Sequence, residues 1–258
     1  MEQHRFSRME LLVGSDGLKQ LNQASVAVFG VGGVGSYAVE ALARAGVGRL
    51  TLVDFDDICI TNCNRQLHAT STTIGQVKVD EMARRCREIN PDIEAEPLKA
   101  FYGAETSEEL LGRGYDYVLD CIDHITGKLH LIESCKKQGL PIISSMGAAN
   151  KLDPTKIKVA DLFHTEKCRL ARIIRKELRR RGISKGVKVV YSKEDFRPLS
   201  GEASVCADNC VCPSQDDQSW RCTDRRVILG SSSYIPPLFG LTMAGEVIRE
   251  LLGKEKRE

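Results

Sequence analysis

A glycine run set between an apolar strand and a helix constrains this chain more than any other feature. Val26-Ala27-Val28-Phe29 is followed by GVGGVG from Gly30 to Gly35, then by a stretch of helical spacing, then by Leu50-Thr51-Leu52-Val53 and Asp54. In that order the segments predict a strand, a phosphate loop, a helix and a second strand, with an acid placed to accept hydrogen bonds from ribose hydroxyls. Gly30 permits the tight turn, Gly32 and Gly33 let backbone amides approach phosphate oxygens, and Gly35 allows close packing of a helix whose positive N-terminus faces the anion. The pattern specifies an adenine nucleotide and leaves NAD, FAD and ATP open.

The rest of the chain continues the alternation. Apolar spacing predicts short helices within Met1–Leu21, helices over Val34–Ala45, Val77–Ile89 and Lys128–Gln138, and a short one opened by a capping box at Thr106 and Glu109. Strands are expected over Ile93–Ala100, Tyr115–Ile122 and Pro141–Met146. The fold class that follows is α/β, a Rossmann-like, doubly wound and mostly parallel sheet with helices on both faces. Residues 1–150 read as the nucleotide-binding domain. Residues 151–258 read as a C-terminal extension packed on the same sheet, with strands at Ile157–Leu162, Val187–Tyr191 and Arg226–Ser232, a basic helix, and a last helix at Leu238–Leu252. No internal repeat is visible.

What surrounds the glycine run separates hydride transfer from triphosphate chemistry. A nicotinamide needs little positive charge beyond its pyrophosphate, whereas a triphosphate needs cations and a metal. Asn62 and Arg65 follow Asp54 closely, Lys78 opens the next helix, and Asp123 ends a later strand. Such a ring of groups suits MgATP.

These motifs, in this order, resemble the ThiF-like adenylating family, bacterial relatives of the ubiquitin-activating enzymes. The likeness runs from Arg5 to about Met146 through GVGGVG, Leu52 to Asp57, Asn62-x-x-Arg65-Gln66, Gly75-x-x-Lys78 and Asp120-x-x-Asp123. The resemblance implies carboxylate adenylation with ATP and Mg2+ as cofactors. By it, Gly33 and Asp54 hold the nucleotide, Asn62, Arg65 and Lys78 the phosphates, and Asp123 the metal, so that Arg65, Lys78 and Asp123 are the catalytic candidates. It also implies a homodimer in which Arg5 reaches the partner's ATP. His124 stands where many relatives have Asn, and its role stays open; His68 lies near the same site.

Which carboxylate is activated depends on the remaining sequence. One branch of the family adenylates the C-terminal glycine of a ubiquitin-like sulfur-carrier protein. Another activates the threonine carboxylate of threonylcarbamoyladenosine beside the anticodon of tRNA, which then cyclises with loss of water and release of AMP. Sulfur-carrier activators commonly hold structural zinc with paired C-x-x-C motifs, and no C-x-x-C occurs among the ten cysteines here. Leu152-Asp153-Pro154-Thr155 and Val159-Ala160-Asp161-Leu162 look like the tRNA branch.

Charge points the same way. The chain's net charge is +2, but Glu166–Arg181 alone carries +6 from Lys167, Arg169, Arg172, Arg175, Lys176, Arg179, Arg180 and Arg181 against Glu166 and Glu177, leaving −4 elsewhere. With Leu170, Ile173, Ile174 and Leu178 docked on the body, Arg169, Arg172, Arg175, Lys176 and Arg179 are expected to face out as a tRNA surface. A solvated basic face is the plain alternative, and a nucleotide-sensing or RNA-binding protein without turnover is an alternative function.

No segment reaches the roughly 18 apolar residues of a membrane span, so a cytoplasmic protein with reduced thiols is expected. Cys206, Cys210, Cys212 and Cys222 are open to metal binding, to thioester formation or to no role, and a sulfur-relay protein is a further candidate partner.

Overall fold

The computed structural model describes residues 3–198 and 229–253. Among these, seven strands form one sheet in the order β3-β2-β1-β4-β5-β7-β6. They are β1 Ser25–Phe29, β2 Arg49–Val53, β3 Glu94–Leu98, β4 Tyr117–Asp120, β5 Ile142–Ser145, β6 Ile157–Asp161 and β7 Lys188–Ser192. All neighbouring pairs are parallel except β6 on β7. Residues 157–192 thus extend the sheet begun by β1.

The strand sequences explain the layering. Side chains alternate across a pleated sheet, and Val26 and Val28 of β1 enter one core while Ala27 and Phe29 enter the other. Leu50 and Leu52 of β2 join the first core and Val53 the second; Leu119 and Val118 of β4 divide likewise. Every residue of β1 is buried, as a central parallel strand covered on both faces requires.

Helices α1 Ser7–Gln23, α2 Gly35–Ala45, α3 Lys78–Ile89 and α7 Ile235–Leu251 supply the first core, and α4 Ser107–Leu111, α5 Ile125–Gln138 and α6 Arg169–Arg180 the second. Burying each large apolar side chain contributes about 1.5–3 kcal/mol. Helix α1 breaks at Gly14 (φ 75°), matching the expectation of more than one short helix. Helix α2 ends at Gly46 and α5 at Gly139, both left-handed caps.

Several expectations change. The Thr106 hydroxyl does not cap α4; it donates to the Phe101 carbonyl (2.9 Å) and accepts from Gly103 N–H (3.0 Å). Helix α5 begins at Ile125, three residues earlier than its apolar spacing suggests, because His124 Nδ1 accepts the Gly127 N–H at 3.0 Å. Helix α7 begins at Ile235, since Pro236 and Pro237 occupy its first turn, where proline lacks no needed donor.

Ile173 of α6 is 43% exposed, and Ala171 takes its place on the buried face with Ile174 and Leu178. Residues 229–232 form no strand, and 226–228 lie outside the described residues. Cys206, Cys210, Cys212 and Cys222 also lie outside the described residues.

Candidate active site

The chain order places α2 and α3 on one side of the sheet and α5 on the other, and the turning point falls between β1 and β4. In sheets of this kind the ligand crevice lies there, at the carboxyl ends of the strands. The glycine loop enters it directly from β1.

Gly30 has φ 89°, and a Cβ on it would stand 2.7 Å from the Cys121 carbonyl oxygen after β4. A Cβ on Gly35 would lie 1.8 Å from the Gly30 carbonyl oxygen, so the loop closes on itself only with glycine there. Gly32 faces the Gln66 amide, and Gly33 packs against the Arg65 stem, whose Cγ would be 3.2 Å from an added Cβ. The loop and the Asn62–Gln66 motif therefore touch.

Asp54 follows β2 directly and ties this loop down. Its Oδ2 accepts the Val31 N–H at 2.6 Å and its Oδ1 the Asp56 N–H at 2.9 Å. A carboxylate offers about four lone-pair sites, so acceptor capacity remains for ribose hydroxyls. Burial raises this carboxyl above its ordinary value and Asp56 adds to the effect, against lowering by Lys78 and the two amide hydrogen bonds.

Lys78 is 4% exposed at the start of α3. Its Nζ donates to Asp56 Oδ2 at 2.7 Å. Arg65 Nη1 donates to the Thr61 carbonyl and to Asn64 Oδ1, each at 2.9 Å. Asn62 differs from a simple phosphate ligand: its Oδ1 accepts the Cys59 N–H at 3.1 Å and shapes the turn carrying Arg65, leaving the side-chain amide nitrogen as its donor.

Asp123 is exposed on the turn after β4. Beneath it lies a group that no sequence motif pairs: Lys128 Nζ donates to Asp120 Oδ2 at 2.7 Å, the Ser144 hydroxyl donates to the same oxygen at 2.5 Å, and Asp120 Oδ1 accepts the Ile122 N–H at 3.1 Å. Lys128 and Asp120 are wholly buried. A buried pair of this kind is held by its geometry and added hydrogen bonds, and here it fixes the backbone next to Asp123.

His124 stacks on Phe101, with centroids 5.0 Å apart and planes 12° from parallel, while Phe101 meets Phe55 edge-on at 5.2 Å. Sequence reasoning missed the partnerships of Lys78 with Asp56 and Lys128 with Asp120. Asp56, two residues beyond the ribose acid, was the available signal for the first.

Among the described residues, no three or more His, Cys, Asp or Glu side chains gather as a metal centre. Asp123 presents a single exposed carboxylate, and magnesium is commonly held by one or two carboxylates together with substrate phosphates rather than by an all-protein cage. Arg5 lies away from this chain's own crevice: its Nη1 donates at 2.9 Å to the Ile89 carbonyl, at the far end of α3 from Lys78.

The basic helix divides by contact. Arg175 is not outward-facing as expected; it is half-buried, and its Nη1 donates to the Thr165 carbonyl (2.6 Å) and hydroxyl (2.8 Å). Arg169, Arg172, Lys176 and Arg179 are exposed, with the Arg169 guanidinium 3.8 Å from the Phe196 ring centroid.

Fold and site together define a nucleotide-binding α/β protein whose glycine loop is flanked by an arginine and a buried lysine suited to a polyphosphate. More particularly, the chain belongs to the ThiF family, whose model matches residues 6–258. It is 45% identical over 256 residues to the tRNA threonylcarbamoyladenosine dehydratase of Bacillus subtilis, covering 96% of this chain and 95% of that protein. Against the molybdopterin-synthase adenylyltransferase of Salmonella typhimurium, identity is 37% over 154 residues, covering 59% of this chain and 61% of that protein. A crystal structure of E. coli tRNA N6-threonylcarbamoyladenosine dehydratase in complex with AMP superposes with a TM-score of 0.85 at 31% identity, covering 98% of this chain and 96% of that one. Among the described residues, no helix is long and apolar enough to cross a membrane.

Proposed function

We propose that this chain uses ATP to adenylate the threonine carboxylate of threonylcarbamoyladenosine in tRNA and then promotes its cyclisation. The observation that carries the adenylation reading is the meeting of Arg65 and Gly33, which sets a guanidinium stem against the phosphate loop with Lys78 and Asp54 beside it. Similarity to dehydratases along 96% of the chain, against 59% for the sulfur-carrier-type relative, supports tRNA as the substrate.

The substrate carboxylate needs no general base, since with a pKa near ~4 it is ionised at neutral pH. It attacks the α-phosphorus, pyrophosphate leaves, and an acyl adenylate forms. The carbamoyl group of the same nucleoside then attacks the activated carbonyl and loses a proton. AMP departs with one carboxylate oxygen, so the net change in the nucleoside is loss of water.

The protein's task is positioning and charge neutralisation. Asp54 orients the ribose, and the loop amides and the start of α2 receive phosphate oxygens. Arg65 and Lys78 offset charge building on pyrophosphate. Asp123 would hold magnesium against the phosphates, where the ion would neutralise charge on the leaving group. A cytoplasmic homodimer is part of the same reading, with Arg5 directed to the partner's nucleotide and the exposed cations of α6 on tRNA phosphates.

The test is conversion of ATP to AMP and pyrophosphate with three additions: modified tRNA, unmodified tRNA, and a small protein ending in Gly-Gly. Turnover with modified tRNA alone supports the reading; turnover with the small protein alone replaces it with sulfur-carrier activation.

A further inference from the structure

Parallel strands and their returning helices bring a second set of residues to the edge that holds the crevice. Helix α6 precedes β7, which runs parallel to β5, so the N-terminal end of α6 and the C-terminal end of β7 share the carboxyl edge of the sheet. Arg169 stands at the first of these and Phe196 just beyond the second.

Phe196 is 38% exposed although it is aromatic, and the Arg169 guanidinium lies 3.8 Å from its ring centroid. The segment that carries the ring is also firmly placed. The Glu194 carboxylate accepts the Leu152 (2.9 Å) and Asp153 (2.8 Å) amides, and Lys151 Nζ donates to the Glu194 carbonyl at 2.7 Å. Asn150 Nδ2 donates to the Arg197 carbonyl at 3.0 Å, next to Phe196.

Asn150 links this segment to the phosphate motif. Buried and left-handed at φ 57°, it donates its backbone N–H to the Gly230 carbonyl at 2.8 Å. The adjoining Ser231 carbonyl accepts Asn64 Nδ2 at 3.0 Å, and Asn64 Oδ1 accepts from Arg65 at 2.9 Å. A continuous series of contacts therefore joins Arg65 to Phe196.

We propose that Phe196, backed by Arg169, is a stacking platform for an unpaired nucleobase of the RNA substrate, held in register with the adenylation site through Asn150. Sequence-selective RNA recognition uses splayed bases stacked on aromatic rings and arginine planes, and stacking tolerates any base because every base has a π-face. Charge on the helix suits the same occupant: Arg172 and Lys176 continue from Arg169 along the exposed face of α6, whereas the groove of about 510 Å³ beside Phe196 has a mixed lining in which Lys167 pairs with Asp195, Lys193 with Glu166 and Arg197 with Glu194. Phosphates meet the exposed cations of α6 while the base meets the ring.

This inference rests on tRNA being the substrate, and two separate readouts divide the claims. The first is fluorescence anisotropy with an anticodon stem-loop RNA and a fully duplex RNA of the same length, using wild type, Phe196→Leu and Phe196→Tyr. Phe196→Leu keeps apolar bulk, so loss of folding does not decide the outcome, and unchanged ATP affinity confirms an intact crevice.

Stem-loop affinity is expected to fall about tenfold in Phe196→Leu, to return to within about twofold of wild type in Phe196→Tyr, and duplex affinity to stay unchanged. The Michaelis constant for tRNA rises correspondingly while kcat at saturating tRNA holds. Equal stem-loop affinity for wild type and Phe196→Leu overturns the platform, as does an equal loss on duplex, which would mean a backbone contact only. Preference for an acidic peptide over the stem-loop overturns it too. The second readout is ATP-dependent loss of water from modified tRNA by wild type, whose absence overturns the proposed reaction and leaves the stacking result to stand by itself.

Discussion

His68 makes stability near the active site depend on pH in a calculable way. Its ring is 5% exposed, and neither ring nitrogen has a hydrogen-bond partner among the described residues. Burial, aided by the charge of Lys78, pushes its pKa down to about 3. The unfolded chain has a histidine near its ordinary ~6.5. Between those values the unfolded state binds a proton that the folded state refuses, so stability rises with pH. The contribution is complete above the unfolded value and is lost as pH falls below it.

Going from about pH 7.5 to about pH 5.5, linkage assigns His68 a loss of ~1.4 kcal/mol. Urea unfolding of wild type and His68→Leu at both pH values isolates it, because the other titrating groups are common to both proteins. The wild type should lose ~1.4 kcal/mol more than the variant over that interval. An equal loss in both proteins would mean that His68 takes up its proton in the folded state, refuting the buried neutral imidazole.

Four further outcomes follow from the contacts. Lys128→Met should cost about 3–5 kcal/mol in urea unfolding by leaving Asp120 buried and uncompensated, and a cost below about 1 kcal/mol would contradict the buried pair. Gly35→Ala should abolish ATP binding by calorimetry, since its Cβ would stand 1.8 Å from the Gly30 carbonyl oxygen; wild-type affinity would show that the loop adopts another shape. Arg175→Ala should lower stability by about 1.5–3 kcal/mol, as loss of a charged hydrogen-bond donor does, whereas Arg172→Ala should leave stability unchanged and reduce the salt dependence of tRNA binding by about one phosphate contact. Asp123→Ala should retain the fold and lose turnover, and an active variant would remove the carboxylate from the proposed metal site.

Local signals carried much of the architecture. The run of apolar residues in β1, the glycines ending α2 and α5, and the periodicity of α3 act within a few residues, so they are legible in order along the chain. What escaped depends on partners brought from elsewhere. Spacing alone put Ile173 inside and Arg175 outside, but the Thr165 carbonyl and hydroxyl, ten residues away, draw the Arg175 guanidinium inward. The early start of α5 needed the His124 ring to turn back on Gly127, and the capping box at Thr106 lost to a competing bond with Phe101.

The site divides in the same manner. Its glycines, Asp54, Arg65 and Lys78 announce themselves by type and spacing. The Asp120, Lys128 and Ser144 group is assembled from β4, α5 and β5; Asp120 stands in a motif, but its partners Lys128 and Ser144 look unremarked in sequence, since a lysine in a helix usually faces water. Asn62 shows a further limit: a residue can stand in a phosphate motif and still commit its oxygen to the local turn.

The most direct test of carboxylate activation and cyclisation is mass spectrometry of nucleosides from tRNA bearing threonylcarbamoyladenosine, after incubation with this protein, ATP and magnesium. Loss of one water from the modified nucleoside, dependent on ATP and absent with Asp123→Ala, is the expected result. An unchanged nucleoside alongside intact ATP binding would contradict the assignment and transfer the adenylation chemistry to a carboxylate other than that of tRNA.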